Sequence, residues 1–184
     1  MARRILSAEP EAAPSFNLAG FDEDSITNGP GLRFVLFVQG CPHHCPGCHN
    51  PETHEFGVGC DYPAEILLRR IRGNPLQTGV TFSGGEPFCQ SAACAALGRR
   101  LKAYGYDLAA YSGYTFEQLL TLSDPAVRDF LEVLDVLVDG PFLVARRDIL
   151  LHFRGSDNQR ILNVPESLRQ GRAVISTAEG WTAN

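Results

Sequence analysis

The chain has 184 residues, 44% of them apolar and 20% charged, with a net charge of −5 and a pI near 5.5. That length suits one domain with a substantial core, and the acidic balance excludes a basic field for nucleic acid. No apolar stretch reaches the roughly 20 residues that cross a bilayer, and Arg3-Arg4 leads only into Ile5-Leu6, so an intracellular, cytoplasmic and reducing setting is expected.

Residues 1–15 have no periodicity and are expected to form a flexible extension, with one domain over 16–184. Asn28-Gly29-Pro30-Gly31 is a turn signal, because Gly accepts positive φ and Pro holds its own. A buried strand over 33–39 follows, and directly after it come Cys41, Cys45 and Cys48. Asp61 and Pro63 open a helix whose Ala64, Leu67, Leu68 and Ile71 recur at helical spacing. A strand over 79–83 ends in Gly84-Gly85, a helix spans about 90–104, and a strand over 107–111 ends in Ser112-Gly113. Helices at 115–122 and 125–134 precede a strand at 136–138, which ends in Asp139-Gly140-Pro141. A strand at 160–164 and a helix at 166–170 complete the pattern. Strands alternating with helices predict an α/β fold with a mainly parallel sheet. The site of such a fold lies beyond the carboxyl ends of the strands, and the unusual loops all fall there.

The C-x3-C-x2-C loop can aim three thiolates at one point, with no fourth cysteine nearby. Iron–sulfur clusters usually take four thiolates, so three predict a cluster with one iron open to a ligand. The bland alternative is a zinc site completed by His43, His44, His49 or Cys60. Ser83-Gly84-Gly85-Glu86-Pro87 adds a place where backbone can approach a ligand closely. Cys60 and Cys89 lack a second motif, Cys94 sits on an apolar helical face, and His43 and His44 are read as loop polarity.

Together these residues resemble the radical S-adenosylmethionine enzymes. The resemblance implies an incomplete (β/α) barrel, with a [4Fe–4S] cluster held by Cys41, Cys45 and Cys48. S-adenosylmethionine would chelate the fourth iron. Gly84, Gly85, Glu86 and Pro87 would contact its methionine end, with Gly47, Cys48 and His49 beside adenine and sulfonium. Ser112 and Asp139 are further candidate cofactor contacts, Asp139 serving equally well in a turn or cap. A bulky residue at Gly85 is expected to block the cofactor while sparing the cluster.

Asn28-Gly29-Pro30-Gly31-Leu32-Arg33 and the run from Gly40 to Thr53 are similar to the activases of glycyl-radical enzymes. Ser112-Gly113-Tyr114, Val138 to Phe142 and Arg154 to Gln159 are similar to the branch acting on the anaerobic ribonucleoside-triphosphate reductase. That resemblance implies reductive cleavage of S-adenosylmethionine to a 5′-deoxyadenosyl radical, fed by flavodoxin or ferredoxin, and a glycyl radical left on the reductase. The alternatives are another target, such as pyruvate formate-lyase, and a zinc-binding interaction module.

Overall fold

The computed structural model describes residues 15–182, so the expected extension, Ser15 excepted, lies outside the described residues. The first element is β1 (Ser15–Ser25), followed by β2 (Arg33–Val38), the short β3 (Cys60–Pro63) and α1 (Ala64–Ile71). β4 (Gly79–Gly84), α2 (Ser91–Ala103) and β5 (Asp107–Tyr111) come next, then α3 (Phe116–Thr121), α4 (Pro125–Val133) and β6 (Val136–Asp139). β7 (Arg160–Asn163) and α5 (Val164–Gln170) close the order.

The strands form one open sheet in the order β3-β1-β2-β4-β5-β6-β7. Its middle is parallel: Val38 pairs with Gly84, Phe82 with Ala110 and Tyr111 with Val138. The parallel α/β centre is therefore as expected, and the sheet stays unclosed, as an incomplete barrel requires. Both edges are antiparallel, which the alternating pattern did not announce. β1 pairs with β2 and β3, and Asp61 and Pro63 belong to β3 rather than to the helix, Pro63 capping α1. Proline without an N–H is tolerated on such an edge. β7 returns antiparallel to β6 because the chain between them lacks an α-helix to carry a parallel crossover.

Side-chain alternation divides the sheet into two environments. Leu36, Val38, Val80, Phe82, Leu108 and Leu137 pack with the helices in the main core, where Phe82 meets Phe130 edge-on at 5.1 Å. The intervening residues Ala109, Val136, Val138 and Ile161 face the other way and are covered by Trp181. Toward the carboxyl ends of the strands this second face is left open.

A cation is buried on that second face. Arg33 is 1% exposed, and its Nε donates to Thr81 Oγ1 at 2.7 Å. Its Nη2 donates to the carbonyls of Val80 and Asp107, Nη1 pairs with Asp107 at 2.6 Å, and the guanidinium lies over Trp181. Every arm of the fork is thus used, which is what a buried charge needs. Thr81 in turn donates to the Asn28 carbonyl at 2.8 Å and holds the Asn28–Gly31 turn in place. Arg33→Ala is expected to cost about 3 kcal/mol, discounted because Asp107 stays partly in water. Urea unfolding checks this, and a loss well under 1 kcal/mol would contradict it.

Candidate functional site

The carboxyl ends of β2, β4, β5 and β6 open on one cavity of about 500 Å³. Cys41, Cys45 and Cys48 all line it, together with His49, Gly84, Gly85 and Ser112. The residues that were scattered in sequence are therefore brought to one place.

The cysteine loop is held by backbone. Gly40 N–H donates to Thr53 and Cys41 N–H to His54, at 2.8 and 3.1 Å. Cys48 N–H closes a turn onto Cys45 at 3.1 Å, and Asn50 N–H points at Cys48 Sγ at 3.4 Å. Gly40 and Gly47 have φ of +95° and +73°, which a side chain rarely adopts. Among the described residues no three His, Cys, Asp or Glu side chains converge on a point that could hold a single metal ion. Cys41, Cys45 and Cys48 on one cavity are an all-thiolate donor set, the kind that holds iron–sulfur clusters. Burial raises the Cys41 thiol above its ordinary value, and Glu86 and Cys45 add to this against backbone hydrogen bonds from His43 and His44. A bound cation would be the natural counterweight, since a metal-coordinated thiol is deprotonated outright.

Gly84 and Gly85 line the cavity, but their sequence identity has a nearer cause. A Cβ on Gly84 would stand 2.5 Å from the Val38 nitrogen, and one on Gly85 would stand 2.4 Å from the Gly40 carbonyl oxygen. The end of β4 is thus pressed against the turn that starts the cysteine loop. Gly85 N–H donates to Val38 and Glu86 N–H to Gly40, at 2.8 and 2.9 Å. A larger residue at Gly85 would therefore press on the turn that carries Cys41, and not on the cofactor side of the cavity alone.

Glu86 and Pro87 are absent from the cavity lining, and both are buried. Glu86 is 0% exposed, and its carboxylate is fully engaged. Oε1 accepts from Phe88 N–H at 3.1 Å, and Oε2 accepts from Gly113 N–H at 2.9 Å. Ser112 Oγ donates to the carboxylate at 3.0 Å, and His43 Nε2 meets Oε2 at 2.8 Å. His43 is therefore no mere loop polarity: it ties the cysteine loop to Glu86 and stands edge-on to Tyr114 at 4.4 Å.

Asp139 is likewise 0% exposed and does not reach the cavity. It accepts from Phe116 N–H at 2.7 Å and from Arg160 Nε at 2.9 Å, so it joins α3, β6 and β7. Of its expected roles the capping one holds. Gly47 lies just outside the lining, close to Val144 and Phe142. His49 stands on the wall with its ring 4.9 Å from Phe142. His44 packs against His54, which lines the cavity without having been singled out. Tyr111, Leu151 and Phe153 were also missed. Tyr111 could have been found, as it ends a strand and alternates onto the open face. Nothing local marks Leu151 or Phe153. Cys94 is core as expected, and Cys60 and Cys89 are exposed outside the cavity lining.

A family model described as a 4Fe-4S single cluster domain matches residues 27–162, from the Asn28 turn into β7. An anaerobic ribonucleoside-triphosphate reductase-activating protein of Vibrio cholerae is 35% identical over 74% of this chain and 90% of its own. The protein of the same name from Escherichia coli K12 is 32% identical over 73% of this chain and 90% of its own. The chain belongs to this family of reductase-activating proteins. A pyruvate formate-lyase-activating enzyme of Clostridium pasteurianum is 35% identical, but over 60% of this chain and half of its own length. A solved structure of QueE from Escherichia coli overlaps 55% of this chain and 53% of its own, with a TM-score of 0.46 at 18% identity.

In this activating-protein chain two substitutions test the wall behind the cavity. Gly85→Ala is expected to displace the Gly40–Cys41 turn and to lower iron uptake on reconstitution, not cofactor binding alone. Iron analysis decides it, and full iron content would remove the steric account. Glu86→Gln places an amide N–H₂ against at least one of four facing donors, at a cost of about 2–3 kcal/mol. Urea unfolding of the iron-free protein measures it, and unchanged stability would contradict the network.

Proposed function

We propose that this protein is a radical S-adenosylmethionine activase that installs a glycyl radical on an anaerobic ribonucleoside-triphosphate reductase. The observation that carries the reading is the meeting of Cys41, Cys45 and Cys48 with Gly84-Gly85 on one cavity at the ends of parallel strands. Bound there, a [4Fe–4S] cluster would supply one electron for reductive cleavage of S-adenosylmethionine to methionine, and the 5′-deoxyadenosyl fragment would supply the hydrogen-atom acceptor for the partner's glycine Cα.

The chain's own residues do the positioning. Cys41, Cys45 and Cys48 are the cluster ligands, and their number leaves one iron for the cofactor. The Asn50 N–H aimed at Cys48 Sγ would tune the cluster's potential, because hydrogen bonds to the sulfurs do so. The backbone at Gly84 and Gly85 offers close approach to the methionine end, and His49 with Phe142 offers a ring surface for adenine. Glu86 acts indirectly by keeping His43, Ser112 and Gly113 in register. Phe142, Leu151 and Phe153 form an apolar side of the cavity that keeps water from a reactive carbon radical.

A flavodoxin or ferredoxin is the proposed electron donor, and a reducing cytoplasm the proposed setting, in keeping with six free cysteines. No helix among the described residues is long and apolar enough to cross a membrane. Shared coverage of 90% with the reductase-activating relatives, against half for the formate-lyase activase, favours the reductase as target.

Any one of Cys41→Ala, Cys45→Ala or Cys48→Ala is expected to abolish cluster absorbance and reductive cleavage. Iron analysis and 5′-deoxyadenosine release after anaerobic reconstitution measure both, and full cleavage by Cys45→Ala would refute the ligand assignment. The target is tested by mixing the reconstituted protein, S-adenosylmethionine and reductant with the reductase. A glycyl-radical doublet in the electron paramagnetic resonance spectrum is expected, and its absence with an intact reductase would overturn the reading.

A further inference from the structure

The segment between β6 and β7 is a braced hairpin. Arg147 bridges Ser156, Asp148 N–H donates to Gly155 at 3.3 Å, and Asp157 N–H donates to Arg146 at 3.0 Å. An Arg146–Asp157 ion pair closes its base. Its tip is turned by Leu150 N–H onto Asp148 Oδ1 at 2.9 Å, and Phe153 is packed against Trp181 at 5.4 Å. One side of this hairpin is cavity wall, since Leu151, Phe153 and Arg154 line the site. The other side is Ile149 and Leu150, each 83% exposed, the most exposed large apolar residues among those described. Ile26, at 71%, directly precedes cavity-lining Thr27. Two adjacent exposed aliphatics therefore directly precede cavity-lining Leu151, on backbone that hydrogen bonds hold in place.

Single exposed apolar residues need no explanation, whereas a contiguous apolar patch with polar neighbours marks an interaction surface, and Ile149 and Leu150 are contiguous behind Arg146, Arg147 and Asp148. A glycine brings no side chain that the cavity could grip, so affinity for a polypeptide glycine must come from surface around the mouth. The floor is the sheet and the inner walls are strand-end loops, which leaves the solvent side, where the hairpin stands, as the approach.

We infer that the Ile149–Leu150 tip is the docking surface for the glycine-bearing segment of the partner enzyme. This rests on the activase reading and adds to it the part of the surface that recognises the protein substrate. An apolar patch flanking the partner's glycine loop covers the two side chains, and the loop passes over Leu151 and Phe153 into the cavity.

The test uses the full chain, reconstituted anaerobically, with the full-length reductase. Ile149→Glu/Leu150→Glu is expected to weaken binding about tenfold or more, measured by biolayer interferometry, and to lower the glycyl-radical signal with it. Iron content and partner-free release of 5′-deoxyadenosine should stay within about twofold, as for surface changes generally. Leu76→Glu, also well exposed at 72% but before β4 at the opposite end of the sheet, should leave binding unchanged. The milder Leu150→Ala gives a second reading should the double variant fold poorly. Unaltered affinity in both tip variants overturns the inference while leaving the activase reading standing. Dissociation of a homodimer by the tip variants, with partner affinity intact, also overturns it, because a second copy would then be the occupant. A wild-type chain that neither cleaves S-adenosylmethionine nor binds the reductase overturns the activase reading and this inference together.

Discussion

A carboxylate without water is the most demanding group in this site, and Glu86 is one, held by the backbone N–H groups of Phe88 and Gly113, the Ser112 hydroxyl and the His43 ring. Those donors come from three features: Phe88 from the turn after β4, Ser112 and Gly113 from the end of β5, and His43 from the cysteine loop itself. A buried charge left with an empty hydrogen-bond position costs far more than a satisfied one returns. The four donors are therefore held together, and the cavity takes its shape from their arrangement. The same carboxylate lies within the field of Cys41, whose thiol it helps to raise, so the network that organises the loop also favours a bound cation.

Close backbone packing completes what the carboxylate begins. Gly84 and Gly85 bring the end of β4 against Val38 and Gly40 at distances no side chain would permit, so the cysteine loop starts from a rigid platform. Gly40 and Gly47 then turn the chain through left-handed conformations that leave the sulfurs on one cavity. Arg33 does comparable work one layer deeper, joining β2, β4 and β5 and, through Thr81, the Asn28 turn on the rim. Asp139 and Arg160 tie the far side, where β6 meets β7 and α3 begins. Function in this arrangement depends on buried polar groups that never touch a ligand.

The central strands were legible as short apolar runs ending in turn residues, and α1 and α2 by apolar residues at helical spacing. The antiparallel edge strands β1 and β3 were not, and the strand read at 160–164 gave no sign of its direction. β1 runs into an acidic stretch and β3 has four residues, so neither carries enough alternation to stand out. The three cysteines were legible because their spacing is itself the chemistry. Glu86 and Asp139 were legible as polar residues at strand ends, but their burial away from the cavity lining was not. A carboxylate at a strand end can point into the cavity or beneath it, and local sequence does not distinguish the two.

What the sequence by itself determined is the set of groups available: three sulfurs on one loop, glycines where backbone must come close, and an alternation that places every such loop at one end of a parallel sheet. Only the tertiary structure decided which of these groups face the cavity and which support it from behind, and that a distant hairpin carrying Leu151 and Phe153 supplies the remaining wall. The reason is physical. Covalent spacing constrains residues a few positions apart, whereas the partners of a buried charge are chosen by packing among segments tens of residues distant.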